Sequence, residues 1–432
     1  MAVATTGKRE RDVVYPEDRL PWPQTILMGL QHVMAMFGAT VLVPIILGFN
    51  PNTVIFFSGV ATLIFLFVTG RKVPSYLGSS FSFLGAVLAI QGGSTAHHDL
   101  AYGGIVIAGV IYFLIGLVVH FVGVNPIKFL LPPVVTGTVV AVIGLALAGA
   151  AWNNYKGDLF TATVTLLVAL LVSVYLRGFP RLLPVLFAVI VGYVVALIDP
   201  NCGAKTACHV DFSGVQNAAW LGFPSFSFPS FGNFTHQFSL FWFIPLILVA
   251  ENAGHVFAIS GIMKRDLSPL LGRTFMGDGI ATTVSGLFGG TGETTYAENI
   301  GVMGVTRVFS IWVFIVAAVA AILLGFIPKF GALVDSIPSS VVGGIELYLF
   351  GLIAVIGAKI WVDARVDFSK RANLAVAAVP LILAAGGADV KFGDFELNNL
   401  ALGALSAIVL YQILRPGHVR DTESEPIEVA ST

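Results

Sequence analysis

Apolar runs of about the length needed to cross a bilayer follow one another along nearly the whole chain. Short stretches rich in glycine, proline or charge separate them, and a polar connector from Asp199 to Gln237 divides them into two sets of seven. The pattern therefore predicts an all-α polytopic membrane protein of about fourteen segments. The predicted segments are 24–47, 51–69, 73–91, 101–123, 129–151, 158–176 and 179–198, then 239–263, 274–290, 291–306, 309–327, 331–357, 372–388 and 396–414.

The tenth segment differs from an ordinary span, because the stretch from Gly289 to Arg307 is short and polar. Its glycine, threonine and tyrosine residues suit extended backbone, and from about Asn299 it is typical of a short helix. A surface loop is the alternative, but hydrophobic spans flank the stretch on both sides. Extended backbone at bilayer depth is tolerated only where protein or a watery cavity satisfies its polar groups. We therefore predict an interrupted segment, with Glu298 at the start of a half-helix.

Composition agrees with a membrane protein and excludes several other classes. The 432 residues are 56% hydrophobic and only 11% charged, whereas soluble domains are about 25% charged. Mean hydropathy is +0.89, and the net charge of −1 gives no indication of a nucleic-acid partner. Residues 1–22 are charged and lack an apolar core, so we do not expect a cleaved signal peptide.

The distribution of lysine and arginine supports this segment count. If the N-terminus is cytoplasmic, 19 of the 23 basic residues fall on the cytoplasmic side. The four on the opposite side are Lys156, Lys205, Lys329 and Lys391. Cytoplasmic loops carry an excess of basic residues, so the asymmetry favours this count with both termini inside.

The two sets of seven also resemble each other in sequence. An odd number of spans per repeat places the copies in opposite orientations, and inverted repeats with interrupted helices are typical of secondary transporters. Matching residues of the two sets are separated by 220 positions in the first part of the repeat and by 207 positions in the later part. The matches are Gly59, Ala61, Thr62, Gly70 and Tyr76 with Gly279, Ala281, Thr282, Gly290 and Tyr296, Gln31 with Glu251, and Gly137 and Gly144 with Gly344 and Gly351.

The repeat identifies a partner for the interrupted segment, the stretch 72–83, which contains Pro74 and Gly78. Short extended pieces near 74–78 and 293–297 are predicted to pair as two antiparallel strands in segments 3 and 10. Ser79 or Ser80 could cap a second half-helix. Two positive helix N-termini would then face one cavity.

Ionisable residues within apolar spans are functional candidates, because burying them in hydrocarbon costs roughly 2.5–3.5 kcal/mol on insertion scales. Three are Glu251, Glu298 and Glu346, and Asp278 and Glu293 are further possibilities. A purely structural role, such as a buried pair that fastens two helices, is the alternative for each.

Glu251 and His255 are four residues apart and share a helix face, where they could pass a proton near neutral pH. His32 is more typical of a hydrogen-bonded packing residue. Phe81, next to the predicted helix break, could stack on a flat ligand. Glu346 and Phe350 also share a face, which we predict to look toward the binding site.

Other chemistries receive less support. The chain has no phosphate-binding Gly-Lys-Ser/Thr motif and no His-Glu-x-x-His zinc motif, and we expect no cofactor or metal. His97, His98 and Asp99 could bind a metal but are more typical of a solvated loop. Cys202 and Cys208 could form a disulfide in an oxidising compartment or remain free thiols.

At this point the residues resemble the nucleobase–ascorbate transporter family, and bacterial uracil permeases within it. The stretch from Glu298 to Arg307 fits the family signature of Gln or Glu, Asn, any residue, Gly, four of any residue, Thr and Arg. A glutamate in the first position resembles the uracil branch. Further likeness lies at Gln31-His32, Phe37–Pro44, Pro74–Phe81 and Ala250–His255.

The resemblance implies proton-coupled uracil uptake across the bacterial cytoplasmic membrane by a protein that is often a homodimer. It implies a core domain (23–123 and 239–327) and a gate domain (124–198 and 328–415), with a connector at 199–238 and cytoplasmic tails at 1–22 and 416–432. It also implies that seven residues surround the base, with proton coupling through the first three: Glu251, His255, Glu298, Phe81, Tyr296, Ala297 and Ala39.

This sequence departs from the family pattern on the gate side. Family uracil permeases can carry serine where Glu346 stands and tyrosine where Phe350 stands, and some members have glycine at the position of Ala297. We include Glu346 among the predicted substrate contacts. Uptake of another nucleobase such as xanthine or thymine, anion transport on the same fold, a channel, and a membrane-embedded enzyme are the alternatives. The last lacks a recognisable nucleophile–base set.

Overall fold

A computed structural model describes residues 13–92, 97–203, 207–393 and 395–414. The predicted C-terminal tail, most of the N-terminal tail and Lys205 lie outside these ranges. These ranges contain four short strands, β1 (Leu77–Ser79), β2 (Glu293–Thr295), β3 (Val390–Phe392) and β4 (Phe395–Leu397). The helices in the first half are α1 (Trp22–Leu47), α2 (Pro51–Val68), α3 (Leu84–Gln91), α4 (His98–Val122), α5 (Asn125–Leu130), α6 (Pro133–Ala146), α7 (Ala148–Tyr155), α8 (Leu159–Tyr175) and α9 (Pro184–Ile198). Those in the second half are α10 (Ser213–Asn217), α11 (Phe234–Phe241), α12 (Ile244–Met263), α13 (Leu271–Leu287), α14 (Ala297–Thr306), α15 (Ile311–Gly325), α16 (Pro328–Asp335), α17 (Ser339–Asp363), α18 (Arg371–Ala385) and α19 (Asn399–Leu414).

The described part of the chain is mainly helical, and six of its helical stretches are long and apolar enough to cross a membrane. A seventh span is possible if α15 and α16, which meet at 82°, count as one. The six stretches are Trp22–Leu47, Pro51–Val68, His98–Val122, Pro133–Tyr155, Phe234–Met263 and Ser339–Asp363. The prediction of one continuous segment over 331–357 was wrong. Helix α16 ends at Asp335 and α17 starts at Ser339 after Pro338, because proline favours the start of a helix and not its interior.

The antiparallel pairing of the two interrupted segments is confirmed. Strands β1 and β2 pair with Leu77 opposite Thr295 and Ser79 opposite Glu293, so the predicted pieces were right to within a few residues. The repeat-related threonines hold one strand each. Thr62 Oγ1 accepts from Leu77 N at 2.9 Å, and Thr282 Oγ1 accepts from Glu293 N at 3.0 Å.

Helices from the two halves interlock in related pairs. Helix α2 packs on α15 and, correspondingly, α13 packs on α4, while α6 crosses α17. Glycines permit the close approach. A Cβ on Gly279 would lie 2.7 Å from Phe113 Cα, and one on Gly59 would lie 2.8 Å from Ile322 Cγ1. Because Gly59 and Gly279 are the residues that the 220-residue offset relates, the sequence repeat corresponds to a packing repeat.

The loops fall into two groups at opposite ends of these helices. The connector meets the loop around Lys329, where Lys329 N donates to Ala219 O at 3.1 Å, and the start of α17, where Ser340 N donates to Ala207 O at 3.0 Å. It also lies against the loop after Lys156, because a Cβ on Gly157 would be 2.8 Å from Ala207 Cβ. At the other end, Val14 N donates to Arg307 O at 3.1 Å. Loops that were predicted to lie on the same side of the membrane are therefore in contact with each other.

Two features of the connector side were not resolved by sequence reasoning. Cys202 and Cys208 form a disulfide, which selects one of the two alternatives left open. Strands β3 and β4 form a hairpin with Val390 opposite Leu397, in a stretch expected to be a loop followed by the last segment.

Candidate functional site

The two half-helices begin beside the paired strands. After β1, the Ser80 side chain accepts from Ser82 N at 3.2 Å and caps a 3-10 turn (Phe81–Phe83) that leads into α3. After β2, α14 starts at Ala297 with no side-chain cap. Unpaired N–H groups in the first turn of a helix can donate to a ligand. The prediction of two helix starts on either side of the strand pair is confirmed.

A small cavity of about 120 Å³ lies where these helix starts meet α12. It adjoins a second cavity of about 240 Å³ that extends to Arg181 and shares Ala39, Ala297 and Glu298 with the first. Ligand pockets for larger molecules are about 300–1,000 Å³, so the space suits a small, compact solute. The first cavity is lined by all seven residues predicted to surround the base, Glu251, His255, Glu298, Phe81, Tyr296, Ala297 and Ala39.

Glu251 and His255 line the cavity from the same face of α12, but each has its own partner. Glu251 Oε2 accepts from Ser82 Oγ at 3.4 Å, and His255 Nδ1 is 2.9 Å from Thr295 Oγ1. Both side chains are half-buried, as is Glu298. The arrangement leaves two carboxyl groups able to meet a ligand in a poorly hydrated space.

Tyr296 contributes mainly through its hydroxyl group, which ties together three elements. It accepts from Thr40 Oγ1 at 3.0 Å and donates to Ser79 O at 3.0 Å. Tyr296 N also donates to Tyr76 O at 3.1 Å. The residue therefore orients β1, β2 and α1 around the cavity that its side chain lines.

Glu346 is not brought to this cavity. It is buried, and its Oε2 accepts from Asn154 Nδ2 at 2.9 Å, which links α17 to α7. Phe350, on the same face, does meet the half-helix, with its ring 5.8 Å from that of Phe81. Direct contact of Glu346 with a ligand stays a prediction that its placement does not favour.

His32 is a buried packing residue, as its sequence context suggested. Its Nδ1 lies 3.0 Å from Asn299 Nδ2, and its ring is tilted against Phe314 at 4.5 Å. Asn299 also donates to His32 O at 3.0 Å. The asparagine of the family signature thus fastens α14 to α1.

The remaining buried acids have protein partners away from the cavity. Glu293 Oε1 accepts from Ser285 Oγ at 3.1 Å. Asp278 accepts from Asn252 Nδ2 and, at 3.4 Å, from Tyr112 OH. A further group, Asp158 with Cys202 and Cys208, lies within metal-ligand spacing, but both sulfurs are bonded to each other and cannot serve as thiolates.

Sequence reasoning missed the apolar wall opposite the carboxylates and two hydroxyl partners, Ser82 and Thr295. The wall comes from α6 and α17, the helices related by the 207-residue offset, so the repeat could have identified the helices but not the side chains. Aliphatic residues fill every span and carry no individual signal. The wall consists of Val140, Ile143, Leu349, Leu352, Ile353 and Ile356.

The fold is that of membrane transporters built from two interlocked repeats. The transmembrane domain of a cyanobacterial bicarbonate transporter, BicA, aligns with a TM-score of 0.60 at 12% identity, covering 91% of this chain and 98% of that one. Murine Slc26a9, an anion transporter, aligns with a TM-score of 0.70 at 10% identity, covering 92% and 69%. At these identities the likeness concerns the fold alone.

Comparison of the sequence assigns the chain to a particular family of transporters. A family model for xanthine and uracil permeases, described as a permease family, matches residues 23–392. The chain belongs to the nucleobase–ascorbate transporter family.

Its relatives are permeases, not enzymes. The chain is 48% identical over 414 residues to a protein of Escherichia coli (strain K12) named "Putative pyrimidine permease RutG", covering 94% of this chain and 92% of that one. It is 40% identical to a uracil permease of Paenibacillus larvae (92% and 96% covered) and 37% identical to the uracil permease of E. coli K12 (95% and 97% covered).

Proposed function

We propose that this protein takes up uracil, or a closely related pyrimidine base, together with protons by alternating access. The observation that carries the proposal is the small cavity in which Glu251, Glu298 and Phe81 meet at two half-helix starts. The names of its relatives, uracil and pyrimidine permeases at 37–48% identity, point to the same substrate class.

The donor and acceptor pattern of uracil complements this cavity. The base presents two N–H donors and two carbonyl acceptors around a flat ring. The carboxylates of Glu251 and Glu298 can each accept from an N–H group, and the backbone N–H groups at the start of α14 can donate to a carbonyl. Phe81 can stack on the ring face. Two carboxylates disfavour an anionic solute, so we do not extend anion transport from the fold relatives to this chain.

Proton coupling is assigned to Glu251, with His255 and Glu298 nearby. A carboxyl group facing a poorly hydrated cavity binds a proton more readily than one in water. If the base and the proton bind in the same state, the proton gradient can drive accumulation of the base. The hydroxyl groups of Ser82 and Thr295 are placed to hold the Glu251 and His255 side chains through this exchange.

The proposed arrangement in the membrane counts the shorter helices together with the long ones. We propose fourteen segments in two inverted repeats. The proposal adds five apolar helices of 10–17 residues, together with α13 and α14, to the six long stretches and the bent pair. We assign them to the core domain (23–123, 239–327) and the gate domain (124–198, 328–415), in the cytoplasmic membrane, with both termini cytoplasmic and as a homodimer, by resemblance to the family.

The decisive experiment measures uptake of labelled uracil into vesicles containing the purified protein, with and without an imposed proton gradient. Saturable uptake that collapses on addition of a protonophore is expected. Competition by unlabelled thymine, cytosine, xanthine and uracil then ranks the bases. Uptake that does not saturate would indicate a channel, and accumulation indifferent to the protonophore would contradict proton coupling.

A further inference from the structure

A second cavity, larger than the base site and separate from it, lies at the end of the helices opposite the connector. Its volume is about 760 Å³, and it shares no lining residue with the two cavities around Glu298. It is bounded by the stretch before α1, the turn after α2, the loop from α12 to α13 and the start of α15. We call it the basic cavity.

Positive charge dominates the basic cavity. Four cationic side chains line it, Arg19, Arg71, Lys72 and Arg265, against two acidic ones, Glu17 and Asp266. Glu17 is already bound by Arg265 at 2.8 Å, and an oxygen of Asp266 accepts from Ser268 N at 2.9 Å. Arg71 and Lys72 form no ion pair with any residue that the structure describes. The lining therefore has two cations available for an anionic ligand.

The backbone adds to this charge. Helices α13 and α15 both begin at the basic cavity, at Leu271 and Ile311, and neither has a side-chain cap. Helix N-termini carry partial positive charge. The turn that brings in the cations is unusual, because Gly70 (φ 65°) is followed by Arg71 with φ 59°. A non-glycine residue rarely adopts this left-handed conformation, because its Cβ then lies too close to the backbone.

The repeat-related position at the other end of the molecule is filled by the chain itself. There the connector crosses the turn after α13 and the start of α4, with Ser227 N donating to Phe288 O at 3.2 Å and Ser230 N donating to Asp99 O at 2.9 Å. Phe226 packs on Phe57 and Phe288 with ring centroids 5.8 and 5.9 Å apart. In the part of the chain that the structure describes, no such segment fills the basic cavity.

The rim of the basic cavity has the character of a membrane–water interface. Trp312 lines it, packs edge-on against the exposed Trp22 at 6.2 Å and carries the Arg19 guanidinium 3.9 Å above its ring. Tryptophans are enriched at headgroup depth, and basic pockets between spanning helices bind anionic headgroups. Met263, Leu270 and Ile315 supply an apolar part of the lining. We propose that the basic cavity binds the phosphodiester headgroup of an anionic phospholipid.

The test titrates detergent-purified, full-length protein with dihexanoyl phosphatidylglycerol and follows thermal stability and bound lipid by native mass spectrometry. Parallel titrations use dihexanoyl phosphatidylcholine and inorganic phosphate. The test variant is Arg71→Gln/Lys72→Gln, which changes two exposed side chains. The control is Lys370→Gln/Arg371→Gln, an exposed adjacent basic pair at the start of α18 that does not line the basic cavity.

We expect phosphatidylglycerol to bind and stabilise the wild type and the control, and the test variant to bind it about 30-fold more weakly. Equal affinity in all three proteins, or equal stabilisation by phosphatidylcholine, would overturn the proposal. Inorganic phosphate binding as tightly as phosphatidylglycerol would show a free-anion site and overturn the lipid assignment. These measurements involve no uracil, so their outcome is independent of the proposed transport activity.

Discussion

At the scale of single residues, the surroundings of each membrane carboxyl group separate candidates that look alike in sequence. Glu251 and Glu298 are half-buried and line the cavity, whereas Glu293 and Glu346 are buried and hydrogen-bonded to Ser285 and Asn154. A carboxylate with a solvent-sized space in front of it can exchange a ligand and a proton. One enclosed by protein instead contributes to packing and hydrogen bonding.

Glu298→Gln is expected to weaken uracil binding by about 10- to 150-fold. The change removes a charge-assisted hydrogen bond, worth roughly 1.5–3 kcal/mol, at the start of α14. Calorimetric titration of purified protein measures the effect. Glu17→Gln, an exposed acid outside both small cavities, is the control and should bind as the wild type does. Unchanged affinity in Glu298→Gln would remove this residue from the base site.

Glu251→Gln should separate binding from coupling. The amide oxygen can still accept from Ser82 or from the base, but the group no longer titrates. Vesicles containing this variant should exchange labelled uracil down its gradient yet fail to concentrate it when a proton gradient is applied. Concentrative uptake with the pH dependence of the wild type would show that another group carries the proton.

Two roles are open for Glu346: contact with the base, as predicted from the sequence, and a structural link to Asn154, as its hydrogen bond suggests. If Glu346 only links α17 to α7 through Asn154, Glu346→Ala should lower the free energy of unfolding by about 1–3 kcal/mol and leave uracil affinity unchanged. Glu346→Gln, which can still accept from Asn154, should be milder. Affinity measured from pH 5 to 8 decides, because an altered profile in Glu346→Ala would favour direct contact with the base.

At the scale of elements, the site depends on the strand pair and the two helix starts. Gly78 in β1 lies against Tyr296, and a Cβ there would be 2.6 Å from the Tyr296 hydroxyl and 2.7 Å from Thr40 Oγ1. The absence of a side chain lets the tyrosine hydroxyl reach Ser79 O. The strand pair and the tyrosine thus form one unit that sets the direction of both half-helices.

Gly78→Ala should therefore distort this unit. Overpacking of a well-packed site typically costs about 1–3 kcal/mol, so the melting temperature and uracil affinity should fall together. Gly261→Ala in α12 is the matched control, since a Cβ there meets no atom within 4 Å. The control should be neutral or slightly more stable, as alanine is favoured over glycine in helices by about 0.5–1 kcal/mol. Normal affinity in Gly78→Ala would show that the unit tolerates rearrangement.

The sequence allowed these elements to be located because polar residues and helix breakers are rare in apolar spans and therefore informative. Pro74, Gly78 and the Gly289–Arg307 stretch identified the interruption, and the repeat offset identified its partner. The aliphatic wall of α6 and α17 was not predictable, because leucine, isoleucine and valine occur on lipid-facing and cavity-facing sides alike. The contact between Glu346 and Asn154 was not predictable for a related reason, since helical periodicity gives the face of a residue but not which neighbouring helix that face meets.

At the scale of the whole molecule, the two ends of the proposed transport path differ. The cavity beside Glu298 continues toward Arg181, on the side predicted to be cytoplasmic. On the connector side, a polar cluster joins α11, which leads from the connector into the proposed core domain, to the β3–β4 hairpin in the proposed gate domain. Glu396 Oε2 is 3.2 Å from His236 Nε2 and 2.9 Å from Lys391 Nζ, and Glu396 N donates to Ser239 Oγ at 3.0 Å.

This cluster has a defined pH dependence. Partial burial acts to raise the pKa of Glu396, but hydrogen bonds from Lys391 and His236 outweigh it, and the pKa falls below its ordinary value of 4.5. A group with a lowered pKa stabilises the bonded state while it is ionised, and that contribution is lost as the pH falls through the lowered pKa. The cluster should therefore stay bonded between pH 5 and 7 and weaken only below about pH 4.5.

Breaking the cluster should favour opening toward the connector side, if the core and gate domains separate there during transport. Ion pairs of this exposure are worth up to about 1 kcal/mol, so Glu396→Gln should raise the outward-open population up to about fivefold.

The reporter for this opening is a cysteine introduced by Ile143→Cys, at a residue that lines the base cavity. The chain has two native cysteines, which are joined in a disulfide, so the introduced thiol is the one available for labelling. The rate of its reaction with a membrane-impermeant maleimide, added on the connector side of oriented vesicles, measures opening.

Asp211→Asn is the control for this experiment. Asp211 lies on the same side, and among the residues that the structure describes its hydrogen bonds go to Ser213, within the connector. Labelling should be faster in Glu396→Gln than in the wild type and the control at pH 7. The difference should disappear as the pH falls below 4.5 and through the lowered pKa of Glu396, because the wild-type carboxylate is then protonated. A difference that persists at low pH would mean that the carboxylate charge is not what holds the outer side closed. Equal rates at pH 7 would mean that this cluster does not limit opening on the connector side.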